Sequence, residues 1–442
     1  MEEASGASVA AIMRTITRVW LSKWCVLGLV AVALCSEAGI SSAHADGRDL
    51  ARAALLAKAS EQCAAAVGLF DEALRQGDFA GKEQGFLIYN RGVCYEKLGV
   101  RQRALSDLNA AIALLPDFEN AYIYRGLVCG ELRDFDRAIA DFQQADRLKP
   151  EDPLVFNNLG NAFAAKDDPV QAIANYNRAI ELRGDYAQAY YNRASVYRAL
   201  RDDTRSLADY NEAIRFQPTF VDAYTNRGVL RMARGEVPQA LADFDAALNL
   251  NPQDLTALTN RANAYLVANR SRDALEDFSH VITIDRGNAA AYLGRGRTAL
   301  LSDGSSDQRT IDDFLTAHRL QPTSAYTVLW LHMARLHRGE DDAKEFKDNS
   351  EKVKRDTWPG RLLDLFNGNA SPEQVWKAAK SGSTREQNER TCEVNFFVGE
   401  KAVQNKSKAE ARSSLMTAVN ECPSDEAGYY VAAKIELNLL DQ

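Results

Sequence analysis

The sequence predicts an all-α solenoid: a right-handed superhelix of antiparallel helix pairs, closed at its ends by capping helices. The first observation behind this is a small residue that returns every 34 positions, at Gly92, Gly126, Gly160, Ala194, Gly228, Ala262 and Gly296. The second is the company it keeps. Aromatic residues stand four positions before it at Tyr122, Phe156, Tyr190, Tyr224 and Tyr292, and alanines twelve after it at Ala104, Ala138, Ala172, Ala240 and Ala274. Large side chains follow at Leu108, Phe142, Tyr176, Tyr210, Phe244 and Phe278, and prolines close units at Pro116, Pro150, Pro218, Pro252 and Pro322. Each position has a physical task. The small residue and the alanine let two helices cross closely, the large residues fill the space between them and between units, and proline ends the second helix.

Taken from the N-terminus, residues 1–45 read as a targeting segment. Arg14, Arg18 and Lys23 precede the apolar run WCVLGLVAVALC, and SSAHA follows it. This is the order of a secretory signal, with cleavage expected after Ala45 and a periplasmic or secreted location. The run is short for a bilayer, which takes about 20 apolar residues; an uncleaved anchor is the competing reading. Cys35 follows Leu34 where a lipid-modified cysteine normally follows a small residue, so no lipid anchor is expected, and Met13 stands as an alternative start. Residues 46–82 carry Phe70 and Ala73 at repeat spacing and read as a partial repeat capping the N-terminal end. Residues 83–322 hold seven units, the last with two extra residues in LLSDGSSDQRT, expected to protrude as a loop. Residues 323–385 form a divergent helical linker in which Trp358-Pro359 breaks the array and Ser371-Pro372 opens a further helix. Residues 386–442 return to the pattern at Gly399, Ala411, Leu415, Ala418 and Pro423, with a C-terminal capping helix.

The period and the residue pattern resemble the tetratricopeptide repeat. That resemblance implies a face lined by the first helices of the units, where partners bind. The formal net charge of −8 argues against a phosphate-seeking surface, so no nucleic-acid partner is expected.

Two columns meet in motifs such as IYNRG and YTNRG. Arginine precedes the small residue at Arg91, Arg125, Arg193, Arg227, Arg261 and Arg295, and aspartate follows at Asp107, Asp141, Asp209, Asp243, Asp277 and Asp313. Unit three lacks both, having Leu159 and Asn175. Joint loss points to an ion pair between the two helices of one repeat, rather than to a row of ligand-binding arginines. Asparagine stands one position earlier, at Asn90, Asn158, Asn192, Asn226 and Asn260, and persists in unit three. Its neighbours Tyr89 and Tyr191 belong to the same expected peptide-binding surface. The row resembles the asparagine ladder of the O-linked N-acetylglucosamine transferase repeats, which implies amides holding the backbone of an extended peptide. An amide suits that task because it donates and accepts together. The competing reading is a solvated or helix-bridging asparagine. Asn157, Asn161, Ser195 and Arg198 would make the early face polar, whereas Leu266, Val267, Leu300 and Leu301 would make the later face apolar. An extended peptide with an apolar end fits such a surface. No unit has lysine directly before the asparagine, which disfavours partners of the chaperone-tail type.

Once Cys25 and Cys35 leave with the signal, five cysteines remain. Cys392 begins one helix and Cys422 ends its antiparallel partner, so a disulfide between them is expected, against two separate thiols. A second bridge, Cys63 to Cys94, is weaker because Cys129 competes for Cys94. WLHMARLHRG, WPGRLLDLFNGNASPEQV, EVNFFVGEKAV and AEARSSLMTAVNECP resemble, in order, the C-terminal half of the new lipoprotein I type of exported repeat proteins. That resemblance implies an envelope adaptor presenting peptidoglycan hydrolases to a protease; the missing lipid-attachment motif and the longer array are departures. His280, His318, His332 and His337 have no metal-ligand spacing and read as solvated or capping residues; there is no phosphate loop or nucleophile motif. No enzyme activity, cofactor or metal is expected. The functional expectation is a protein-binding adaptor or scaffold, and the alternative is a self-associating envelope scaffold.

Overall fold

The computed structural model describes residues 46–303, 307–422 and 427–441. The expected signal segment, the tip of the unit-seven insertion and Pro423 lie outside them. Among the described residues there are helices and no strands, and none of the helices is long and apolar enough to cross a membrane. The fold is an α-solenoid of paired helices, divided into two compact units between Leu200 and Arg201.

The first unit contains α1 (Gly47–Ala59), α2 (Cys63–Gln76), α3 (Gly81–Lys97), α4 (Arg101–Leu114), α5 (Glu119–Glu131), α6 (Phe135–Leu148), α7 (Pro153–Ala165), α8 (Pro169–Leu182) and α9 (Ala187–Ala199). Successive helices pack as pairs, and the odd-numbered helices also touch one another in series, so they share one face. Segment 46–82 is a complete helix pair, with Ala53, Ala54, Ala57, Phe70 and Ala73 fully buried in its core.

The repeat spacing is built into close contacts. A Cβ added at Gly160 would stand 2.4 Å from the Tyr176 ring, so the ring can lie flat on the helix only where the side chain is minimal. The turn between the two helices of a unit has its own period. Gly99, Arg133, Asp167, Arg201, Gly235 and Asn269, each 34 residues from the next, all adopt positive φ between 55° and 73°. Asp134, Asp168 and Asp202 follow three of these turns and cap the second helix, accepting from the backbone of Arg137, Gln171 and Arg205.

The second unit contains α10 (Asp203–Phe216), α11 (Val221–Ala233), α12 (Val237–Leu250), α13 (Leu255–Val267), α14 (Ser271–Ile284), α15 (Ala289–Asp303) and α16 (Gln308–Leu320). It continues with α17 (Ala325–His337), α18 (Ala343–Ser350), α19 (Gly360–Phe366), α20 (Pro372–Ala379), α21 (Thr384–Gln404), α22 (Lys408–Glu421) and α23 (Ala427–Leu440). The divergent stretch is not a loose linker. Trp330, Phe346, Leu362, Leu363, Phe366, Phe396, Phe397 and Tyr429 join Leu300, Leu301 and Phe314 in one core. Buried Glu393 ties it further, accepting from the Tyr326 hydroxyl at 2.7 Å and the Trp358 indole at 2.6 Å. Cys392 and Cys422 form a disulfide with their Cα atoms 5.3 Å apart, fastening α21 to the end of α22. Cys63, Cys94 and Cys129 are buried free thiols, so the structure holds no Cys63–Cys94 bridge. Those two side chains nonetheless touch, and burial pushes the Cys94 thiol up to about 12. Cys129 packs in a different cluster.

Candidate functional site

The arginine column forms a clamp. Arg91, Arg125, Arg227, Arg261 and Arg295 each donate through Nε and Nη2 to both oxygens of Asp107, Asp141, Asp243, Asp277 and Asp313, at 2.6 to 3.2 Å. The aspartates are buried. The bidentate hydrogen bonds to them hold Arg91, Arg125, Arg261 and Arg295 above the ordinary guanidinium value. Four arginines also lie over the aromatic ring three residues earlier, Arg125 over Tyr122, Arg193 over Tyr190, Arg227 over Tyr224 and Arg295 over Tyr292, at 5.5 to 5.8 Å. Arg193 and Asp209 fall on opposite sides of the division between the units.

A third arm was not legible in the sequence. Nη1 reaches back to the second helix of the preceding pair, from Arg91 to Asp71, Arg125 to Asn109, Arg193 to Asn177, Arg227 to Asn211, Arg261 to Asp245 and Arg295 to Ser279. Each arginine therefore joins two repeats as well as two helices.

The asparagine column is not one environment. Asn90 is buried; Lys58 of α1 donates to its Oδ1 at 2.5 Å, and its Nδ2 donates to the Phe86 carbonyl at 2.7 Å. Tyr89 is buried beside it, edge-on to Phe118 and Tyr124. Both are closed off by the N-terminal helix pair and neighbouring helices. Asn192 on α9 is half-buried and bridges helices, its Nδ2 lying 3.0 Å from Oδ1 of both Asn157 and Asn161 on α7. Tyr191 beside it is half-buried, as are Asn226 and Asn260, and Asn260 donates to the Thr256 carbonyl at 2.9 Å.

Asn158 differs from the rest. It is 7 % exposed, and its Nδ2 is buried with no partner among the described residues. It lines a pocket of about 210 Å³ with Asn161 and Ala162 of α7, Gly126 and Gly130 of α5, and Phe142 of α6. Two glycines on α5 open this space, and a Cβ at Gly130 would meet nothing within 4 Å. The pocket thus sets Asn158 among small, mostly apolar walls supplied by α5, α6 and α7.

A family model described as the tetratricopeptide repeat matches residues 89–153, 157–219 and 225–289, spanning this pocket and most of the clamps. These segments are similar to tetratricopeptide repeats. Several solved structures are similar to parts of the chain. YrrB, titled a TPR protein with an unusual peptide-binding site, is 22% identical, with a TM-score of 0.38 over 42% of this chain and 96% of its own. A tetratricopeptide repeat protein from Parabacteroides merdae is 17% identical, with a TM-score of 0.43 over 57% of this chain and 98% of its own. Pseudomonas aeruginosa pilF is 18% identical, with a TM-score of 0.43 over 48% of this chain and 96% of its own.

Two expectations for the C-terminal half of the chain need correction. The apolar stretch expected on the open face is covered by the chain itself. Helix α23 lies against α13 and α15, Leu300 and Leu301 share a core with Tyr429, Ala432 and Ala433, and Leu266 is also buried. Apolar surface left in water costs free energy, and the C-terminal helix supplies the cover. The expectation of solvated or capping histidines fails at mid-helix His332, and His337, although it ends α17, is not solvated. His332 is buried, hydrogen-bonded to Asp342 at 2.8 Å and stacked on Phe346. His337 is enclosed with Glu400 and Glu436, the one group of described residues with metal-ligand proximity. Burial, then the neighbouring Glu400 carboxylate, pushes Glu436 up to about 8.

Proposed function

We propose that the protein is a non-enzymatic, exported adaptor that holds an extended segment of a partner protein on the odd-helix face of its first unit, with Asn158 as the anchoring amide. The observation that carries this reading is the unpartnered, buried Nδ2 of Asn158, a residue that lines the glycine-opened pocket. A buried donor left without an acceptor costs about 1–3 kcal/mol. A backbone carbonyl of a bound segment would supply that acceptor whatever its side chain, and the pocket would take a small apolar side chain beside it. Tetratricopeptide proteins are in general protein-binding adaptors and scaffolds, and the resemblance of the C-terminal motifs to the new lipoprotein I type suggests envelope hydrolases and a processing protease as partner classes. The signal-like residues 1–45 motivate the exported location. Asn90 drops out of the binding row because it is buried beneath Lys58 of α1, whereas Asn192 stays half-exposed.

A second reading has one observation in its favour: α23 covers α13 and α15, as expected of a scaffold whose face is occupied by its own chain. Affinity purification from the envelope fraction separates the two. Recovery of a partner protein by the wild type, and its loss in a well-folded Asn158→Ala/Asn192→Ala variant, is the outcome expected of the adaptor. Recovery of this chain alone, or of the same partner in undiminished amount by the variant, would overturn it.

A further inference from the structure

His337 ends α17, Glu400 lies one turn before the end of α21, and Glu436 stands on α23. Their side chains converge although the three residues are far apart in sequence. The His337 Nε2 atom is 3.4 Å from Glu436 Oε1 and 3.6 Å from Glu400 Oε2. One ligand atom from each residue lies within 4.8 Å of the other two. The first two separations exceed the usual N–H···O range of about 2.7–3.2 Å. They match a different geometry. Nitrogen and oxygen ligands held about 2.0–2.2 Å from a tetrahedral zinc ion stand roughly 3.3–3.6 Å from each other. The two carboxylates lie within 4.8 Å of each other, and rotation about either carboxylate's terminal bond adjusts that separation.

Burial and charge point the same way. Glu400 is 2 % exposed and Glu436 5 %. Oxygen Oε1 of Glu400 is enclosed and has no partner, and among the described residues neither carboxylate pairs with lysine or arginine. Two carboxylates face a single imidazole away from water, and negative charge held there is costly unless a cation compensates it. A divalent ion balances that charge. The imidazole favours a transition metal over calcium or magnesium, which prefer oxygen ligands throughout.

We propose that His337, Glu400 and Glu436 form a binding site for a divalent transition-metal ion of the zinc class, which fastens the C-terminal helix α23 to α17 and α21. Three protein ligands leave a fourth position for water. Because α23 covers the first helices α13 and α15, the ion would also hold that part of the tetratricopeptide face closed.

The test is a calorimetric titration of the full chain, first stripped with a chelator and desalted, using zinc chloride with magnesium chloride as the comparison. One zinc ion should bind per chain at micromolar concentration or below, with no magnesium heat. Glu400→Gln and Glu436→Gln, each close in shape to the native residue, should weaken zinc binding roughly tenfold or more. Amide exchange across 427–440 should slow with zinc in the wild type and not in either variant. X-ray absorption at the zinc edge of the wild-type protein, which needs no variant to fold, should report nitrogen and oxygen ligands without sulfur. Absence of one-to-one binding, unchanged affinity in both folded variants, or sulfur in the zinc shell would each overturn the site.

Discussion

Arg261 holds Asp277 through two parallel hydrogen bonds of 2.8 and 2.7 Å, while its third nitrogen pairs with Asp245 of the preceding repeat at 2.7 Å. The Asp277 carboxylate is buried, so its charge depends on that one guanidinium. Arg261→Leu alone should therefore destabilise the second unit by about 3 kcal/mol, since removing one partner strands a buried charge. Arg261→Leu with Asp277→Asn reproduces the Leu159 and Asn175 combination of unit three, and should cost about 1 kcal/mol or less. Urea unfolding followed by circular dichroism checks this. Equal shifts of the midpoint for the single and double variants would refute the pairing as an energetic unit.

The turn residue between paired helices offers a gain of stability. Asp167 sits at φ 62°, a left-handed conformation that costs an L residue more than glycine, and Gly99 and Gly235 occupy the same place in other units. Asp167→Gly should stabilise the first unit by about 0.5–1 kcal/mol, the strain relieved exceeding the entropy glycine adds to the unfolded chain. A lower thermal midpoint in the variant would show that Asp167 contributes a contact beyond its backbone.

Much of this was legible because repeats act as internal controls. Arg91 and Asp107 could be paired from sequence because both columns fail together at Leu159 and Asn175. The third arm was hidden because its acceptor changes from Asp71 to Asn109 to Ser279, which share only the ability to accept a hydrogen bond. The turn column was hidden similarly, since backbone geometry is common to Arg133, Asn269 and Gly99 while side-chain chemistry is not. The asparagines form one column in sequence and several environments in space. What lies above each helix decides its burial: Lys58 descends on Asn90, and Asn157 and Asn161 receive Asn192. His337, Glu400 and Glu436 come from three helices far apart in the chain, and no spacing rule could join them.

The docking of α23 depends on Tyr429, which is buried with its ring 5.6 Å from Phe396, 5.8 Å from Phe397 and 6.3 Å from Trp330. Tyr429→Ala should weaken that docking by about 3 kcal/mol. Proteolysis within 427–441 should then accelerate, and an apolar dye should bind where Leu300 and Leu301 lose their cover. Unchanged cleavage and no dye binding would show that α23 is held elsewhere.

The central claim is that a partner segment lies on the face holding Asn158, and a photo-crosslink tests it most directly. Gly130 lines the Asn158 pocket and has room for a side chain, so benzoylphenylalanine placed there should be tolerated and should reach whatever enters. Irradiation of the envelope fraction should yield an adduct to a distinct partner protein, diminished roughly tenfold by Asn158→Ala, the loss expected from one buried hydrogen bond. The same probe at exposed Val170 on α8 should yield none. No adduct from position 130, or an adduct indifferent to Asn158, would contradict the account.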